Sequence, residues 1–340
     1  MPRLPNSFTN APHLPTTPGH PDIKHLVRTQ GFSALIGIAV MLVAFSILDF
    51  DGWWTAQTIN NVLQVSAMIG ILAMGQALII MAGEIDLSVG SVYGLAGVAF
   101  ITLGDSHGVP AAMVAALAIA ALAGLLQCMA VVYGGIPSMI VTLGGLFTAR
   151  GIIYVWTGGS VQAFPDAAQL HPLTRLLGGE FLGLEAIVFW MLIVLALLSV
   201  MLLKMRYGNQ LLATGGSESS ALSRGVRTDR VKIAAFVLCS VLAGFAGIIT
   251  LADQPQTHVT LGESLELQAI AAAVIGGCLL SGGRGSLFGA VLGAIIIVSF
   301  RYELIALGAP SSWFMSFVSA LLIVAVILNQ KLARMAGRNL

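Results

Sequence analysis

The stretch AGEIDLSVGS at 82–91 sets two carboxylates, Glu84 and Asp86, between an apolar run ending in ALIIMA and another beginning SVYGLAGVAF. An acid held at membrane depth is costly and serves proton or ion chemistry, whereas the same acid at the edge of an apolar run caps a helix. Asp86 precedes Leu87, Ser88 and Val89. Its carboxylate can therefore accept hydrogen bonds from the free N–H groups of a helix start, where the helix dipole also favours negative charge. Glu84 faces either the cytoplasm or a pore. Arg150, in TLGGLFTARGIIYVW, stands near mid-membrane with no acid at helical spacing in its own run, so it needs a partner on another segment or a wet cavity. A guanidinium there either anchors a buried ion pair or donates to the hydroxyls of a polar cargo. Ser88, Asn61, Gln64, Thr142 and Gln268 are uncharged polar groups within or beside apolar runs. With Asp86 and Arg150 they make up the candidate translocation path or gate.

Other chemistry lacks the residues it needs. His13, His20 and His25 lie in a Pro-rich stretch at a spacing that fits no ligand template, and no metal is expected. Cys128, Cys239 and Cys278 fall inside apolar runs and read as small packing residues rather than a disulfide framework. A membrane-embedded enzyme would need a clustered nucleophile and base, and no His lies inside an apolar run. No cofactor is implied.

Helices in lipid must position these groups. Hydrophobic residues make up 57% of the 340 positions and charged residues 9%, against about 25% charged in soluble domains. The pattern predicts an all-α, polytopic membrane protein with about ten spans. They fall at 32–49, 60–82, 88–104, 110–133, 138–157, 182–203, 231–252, 265–281, 286–306 and 312–330. Residues 1–31 form a polar tail without the apolar core of a signal peptide, 32–330 a single transmembrane domain, and 331–340 a second tail. Cations gather at Arg3, Lys24 and Arg28, between Lys204 and Lys232, and at Lys331, Arg334 and Arg338. The positive-inside rule places all three clusters in the cytoplasm, and an even number of spans separates each pair. The joints 83–88, 134–137 and 281–286 then face inward and the 158–181 loop outward. A net charge of +1 gives no reason to expect a nucleic-acid partner.

The longest inward connection, 204–231, spreads Leu211, Leu212, Ala221, Leu222 and Val226 among Gly and Ser. SESSALSRG offers Ser217 or Ser219 as an N-cap and Gly225 as a C-terminal stop, which predicts a short helix near the membrane surface. It is either a structured loop or a docking element for a cytoplasmic partner. Gly90 and Gly94, and Gly285, Gly289 and Gly293, recur at four-residue spacing, which lets helix backbones approach closely in lipid. Both sets follow an inward joint bearing polar groups, a hint of an internal repeat.

Four ordered motifs carry a family resemblance: GEIDLSVGS at 83–91, PSMIVTLGGLFTARG at 137–151, GNQLLATGGSESSALSRGV at 208–226 and LELQAIAAAVIGGCLLSGGRGSLFG at 265–289. Together they resemble the permease subunits of bacterial ATP-binding-cassette sugar importers of the ribose, xylose, arabinose, galactose and rhamnose type, with the autoinducer-2 importers in the same branch. The similarity runs from about residue 35 to 330, nearly the whole chain.

The resemblance implies a coupling segment that inserts a short helix into a groove on a partner ATPase. Its matching positions are Gly208, Ala213, Gly215, Ser220, Ala221, Gly225 and Val226, with the basic flank of Arg224, Arg227 and Arg230 able to meet acidic groups across the interface. Ser217 stands where the family has Asn, Ser220 where it has Ala and Val226 where it has Ile; Glu84 replaces a Gly. Ala221 is expected to face the ATPase. Implied partners are that ATPase, a periplasmic sugar-binding protein, a second permease subunit, identical or paralogous, and the inner-membrane bilayer. The chain holds no phosphate-cradling loop of the GxxxxGKS or GxxxxGKT type, so ATP is expected to be hydrolysed by a separate subunit. The rival reading is an ion-coupled secondary transporter using Glu84, Asp86 or Arg150, which would need no ATPase.

Overall fold

In the computed structural model, residues 32–310 and 312–335 are described. The 1–31 tail and residues 336–340 of the second tail lie outside that range. In chain order the helices begin with α1 (Phe32–Leu48), the single turn α2 (Phe50–Trp53), α3 (Ala56–Met81), α4 (Val89–His107), α5 (Val109–Val132) and α6 (Ser138–Thr157). A polar excursion follows with α7 (Asp166–Gln169) and α8 (Pro172–Gly178), then α9 (Ala186–Lys204). The charged connection holds α10 (Arg206–Gly216) and α11 (Glu218–Ser223). The last four are α12 (Thr228–Asp253), α13 (Leu265–Ile275), α14 (Leu287–Ala306) and α15 (Trp313–Met335). Seven helices are long and apolar enough to cross a membrane, and three shorter apolar ones accompany them, so each expected span holds one.

The central helix is α3, which packs against α9, α12, α13 and α14; α4 packs against α5, α6 and α12. Both are largely enclosed, whereas α5, α6 and α9 leave most of their surface outside the chain. The ends follow from local chemistry. Thr55 caps α3 by accepting from Thr58 N–H, and Gly158 ends α6 in the left-handed conformation that suits glycine. Pro255 disfavours helix at Gln254, where α12 stops.

Two expected spans are corrected. The 265–281 run is not one continuous span: α13 has 11 residues and rises about 16 Å, roughly half the hydrocarbon thickness. Gly276 and Gly277 break it, with Gly277 at φ +98°. The run placed at 182–203 begins instead at Ala186, because Leu182 and Gly183 take positive φ and turn a hairpin between β2 (Glu180–Phe181) and β3 (Leu184–Glu185). β1 (Gln162–Ala163) pairs antiparallel with β4 (Gln256–Thr257), Gln162 opposite Thr257. That pairing ties the 158–181 excursion to the segment leading into α13.

Candidate functional site

The candidate path residues separate into three places. At the joint between α3 and α4, Asp86 is fully buried. Its Oδ1 accepts from Ser88 N–H and from the Ser88 hydroxyl, both at 2.7 Å. This is an Asx-type turn onto the residue that precedes α4, so Asp86 sets the entry to the helix without bonding N–H groups inside it. Burial pushes the Asp86 carboxyl above its ordinary value against the pull of the two Ser88 hydrogen bonds. Its Oδ2 has no hydrogen-bond partner among the described residues. The Ser88 hydroxyl lies 3.0 Å from the Gln127 side-chain oxygen on α5, and the Gln76 amide on α3 donates to the Asp86 carbonyl. On α6, Thr142 donates to the Ser138 carbonyl at 2.8 Å, and Ile85 N–H donates to the Ser138 hydroxyl at 3.3 Å. Four helices are thus pinned to one joint.

Glu84 finds a partner that sequence reasoning missed. Lys232, at the base of α12, lies 2.9 Å from Glu84 Oε1 and 2.9 Å from Glu218 Oε2 at the start of α11. Lys232 was legible only as one cation in a basic segment.

The second place is a cavity of about 510 Å³ beside Arg150, bordered by Ser91, Phe147, Tyr154, Glu263 and Glu266. Arg150 Nη1 donates to the carbonyls of Val259 at 3.2 Å and Leu261 at 2.7 Å. Its partners are therefore backbone oxygens of the irregular stretch before α13, and no carboxylate stands within ion-pair distance of it among the described residues. Buried Ser91 Oγ and Glu266 Oε2 have no hydrogen-bond partner among the described residues. The cavity thus offers a donor, acceptors and two aromatic faces. Gly90 and Gly94 seat the backbone beside it: a Cβ at Gly94 would stand 2.6 Å from the Leu261 carbonyl, and one at Gly90 would meet Gly262. They admit the irregular stretch rather than a long helix.

The third place is the other half of α3. Gln64 Nε2 donates to Asp253 Oδ2 at 2.9 Å beside a small cavity of about 70 Å³, and Asn61 accepts from Gln57. Gln268 is buried in α13, its amide directed at the Ser264 carbonyl. Asn61, Gln64 and Gln268 border neither the Arg150 cavity nor the Asp86 joint. Of the other glycines, Gly289 and Gly293 on α14 abut Gly276 and Ala272, while Gly285 lies ahead of the helix against Cys278 and Met81.

The 204–231 connection carries two helices where one was expected. Gly208 lies against the Leu202 backbone, which closes the turn between α9 and α10. Ser217 caps α11 by accepting from Ser220 N–H. At the other end Gly225 sits at φ +80°, and Gly225 and Val226 N–H bond to the Leu222 and Ala221 carbonyls, a Schellman closure. Ala221, expected to face the ATPase, is turned toward the chain's own interior. It is 3% exposed, because α11 leans on α12 and turns that residue inward. Ser219, Ser220, Leu222, Ser223 and Arg224 face outward, as does Ala213 on α10. The end of α10 is wedged between two joints: any side chain at Gly215 would collide with the backbone of Met81 and Gly283. Those joints are themselves bridged by Gly283 N–H donating to the Met81 carbonyl at 3.0 Å.

Comparison with known proteins decides the family. Residues 58–327 match the family described as "Branched-chain amino acid transport system / permease component". The chain belongs to this permease family. Among its relatives is the "Autoinducer 2 import system permease protein LsrC" of Escherichia coli (strain K12 / DH10B), 34% identical over 321 residues, which cover 94% of this chain and 92% of that protein. The Shigella flexneri protein of the same name is 34% identical with the same coverage, and the Salmonella typhi one 32% identical, over 94% of this chain and 90% of that protein. No solved structure matches. This permease is accordingly the membrane-spanning component of an ATP-binding-cassette importer, a multi-pass inner-membrane transport subunit rather than an enzyme. Such a subunit works with an ATPase and a substrate-binding protein.

Proposed function

We propose that this permease carries a small sugar, a pentose, hexose, deoxyhexose or the related autoinducer-2, into the cell. An ATPase docked on the 204–231 connection drives it, a periplasmic binding protein feeds it, and a second permease subunit, identical or paralogous, completes the pathway. The observation that carries this reading is the seat of Gly215 between the Met81 and Gly283 joints, because a docking element in contact with both joints can move them when the ATPase closes. The cavity beside Arg150 supports the cargo class. Its volume of about 510 Å³ falls in the range of about 300–1,000 Å³ typical of small-molecule sites. Arg150 donates, Glu266 accepts, and Phe147 and Tyr154 offer faces for the C–H surface of a sugar ring.

Transport then needs no covalent step in this chain. Closure of the ATPases draws the docking helices together, the joints shift, and access to the cavity switches sides. The test is uptake by proteoliposomes holding the permease with its ATPase and internal ATP, given binding protein and, one at a time, labelled ribose, xylose, arabinose, galactose, rhamnose and autoinducer-2. Accumulation of one of these, stopped by vanadate and indifferent to a protonophore, is expected. Accumulation that follows the proton gradient and ignores vanadate would overturn the reading.

A further inference from the structure

At Gly215 the end of α10 meets the two joints backbone to backbone, with no room for a side chain. Such a contact transmits a push. It resists a pull less well, because among the described residues no hydrogen bond crosses it and close packing there gains only dispersion. A transport cycle needs both directions, so something must draw the joint back when the docking helix recedes. Lys232 stands where that link is needed. Its ammonium is shared at 2.9 Å between Glu84, on the joint between α3 and α4, and Glu218, the first residue of α11.

We propose that Glu84, Lys232 and Glu218 form the return link of the coupling apparatus, tying the docking helix to the inner joint so that withdrawal of one draws back the other. This deepens, and rests on, the reading of the 204–231 connection as the ATPase docking element. The three residues lie on three separate elements, which the one ammonium joins. Glu84 and Lys232 side chains are 14% and 13% exposed, Glu218 44%. The inner pair is shielded from solvent and holds more firmly than the outer one, since exposed ion pairs are weak and screened by salt. Glu84 and Lys232 act as positioning residues: neither borders the Arg150 cavity.

The closing experiment reads joint movement without reference to any cargo. Leu87, half-buried on the same joint, is replaced by Cys in the full chain; the native Cys128, Cys239 and Cys278 are buried. The protein is assembled with its ATPase in nanodiscs, and the maleimide labelling rate is compared between nucleotide-free and vanadate-trapped states. In the parent the two rates should differ on the order of fivefold or more, the lower end of typical coupling between sites. Lys232→Ala should abolish that difference while ATP hydrolysis persists. Combined reversal, Glu84→Lys with Lys232→Glu and Glu218→Lys, should restore it, which a residue needed merely for packing would not allow. A Lys232→Ala complex that keeps the nucleotide-dependent difference, or a full reversal that stays uncoupled, overturns the link. A parent complex with no nucleotide-dependent difference overturns instead the docking reading on which the link rests.

Discussion

Asp86 is the residue whose chemistry can be tested most directly, because burial and hydrogen bonding pull it in opposite directions. Desolvation is the larger influence and raises its carboxyl pKa. In the folded state the group then holds a proton that the unfolded chain has released, so stability falls as pH rises from the ordinary value of about 3.9 through the raised one. Asp86→Asn keeps an acceptor for Ser88 N–H but cannot ionise. It should flatten the slope of melting temperature against pH in that window and leave the protein at least as stable above it. Asp86→Ala, which removes the acceptor, should cost about 0.5–2 kcal/mol, the usual worth of a capping side chain. A slope unchanged in the Asn variant would assign the titration to another group. That Asp86 fixes the entry to α4 could be anticipated from its place ahead of the helix, although its hydrogen bonds go to Ser88 and not to N–H groups inside the helix. The role of Glu84 could not. Its partner lies on the far side of eight helices in sequence, and only the fold brings Lys232 to it. Arg150 raised the right demand, but spacing pointed to an acid or a cavity and gave no sign of the Val259 and Leu261 carbonyls, because irregular backbone carries no periodicity to read.

Among elements, α11 shows what local sequence can and cannot specify. Ser217 and Gly225 mark its ends because a cap and a left-handed residue are strictly local needs. Which face meets a partner is decided by the packing of α11 on α12, and so Ala221 turns inward where the family pattern had suggested outward. Leu222, 54% exposed, is the large apolar side chain that this short helix presents. Leu222→Asp should thus leave the stability within about 0.5 kcal/mol of the parent and release the ATPase on co-purification. Ala221→Trp should instead overpack the seat on α12 and cost about 1–3 kcal/mol. Tight ATPase retention by Leu222→Asp would count against this face as the docking surface. The apolar runs were legible throughout, since lipid demands about twenty apolar residues of any crossing helix. The half-length α13 was not, because hydropathy continues through Gly276 and Gly277 while helical backbone stops there.

For the molecule as a whole, charge fixes an expectation about orientation that the helices alone leave open. The segment from the end of α9 through the start of α12 carries Lys204, Arg206, Arg224, Arg227, Arg230 and Lys232, whereas the excursion between α6 and α9 carries Arg175 against Asp166, Glu180 and Glu185. Cations close to membrane-spanning ends stay on the cytoplasmic side because they resist translocation, and acids have little opposing influence. The α9–α12 connection should accordingly face the cytoplasm and the hairpin at Leu182 the periplasm. Both sites suit a labelling test, since Leu182 is 96% exposed and Leu222 is 54% exposed. The three native cysteines are buried and should contribute little signal. A membrane-impermeant maleimide applied to spheroplasts should modify Leu182→Cys at once and Leu222→Cys only after the membrane is permeabilised. The reverse pattern would place the docking surface outside the cell, where no ATP is available to an ATPase, and the importer mechanism would fall with it. Equal labelling of both sites in intact spheroplasts would place the hairpin and the docking helix on one side, which a single crossing by α9 between them forbids.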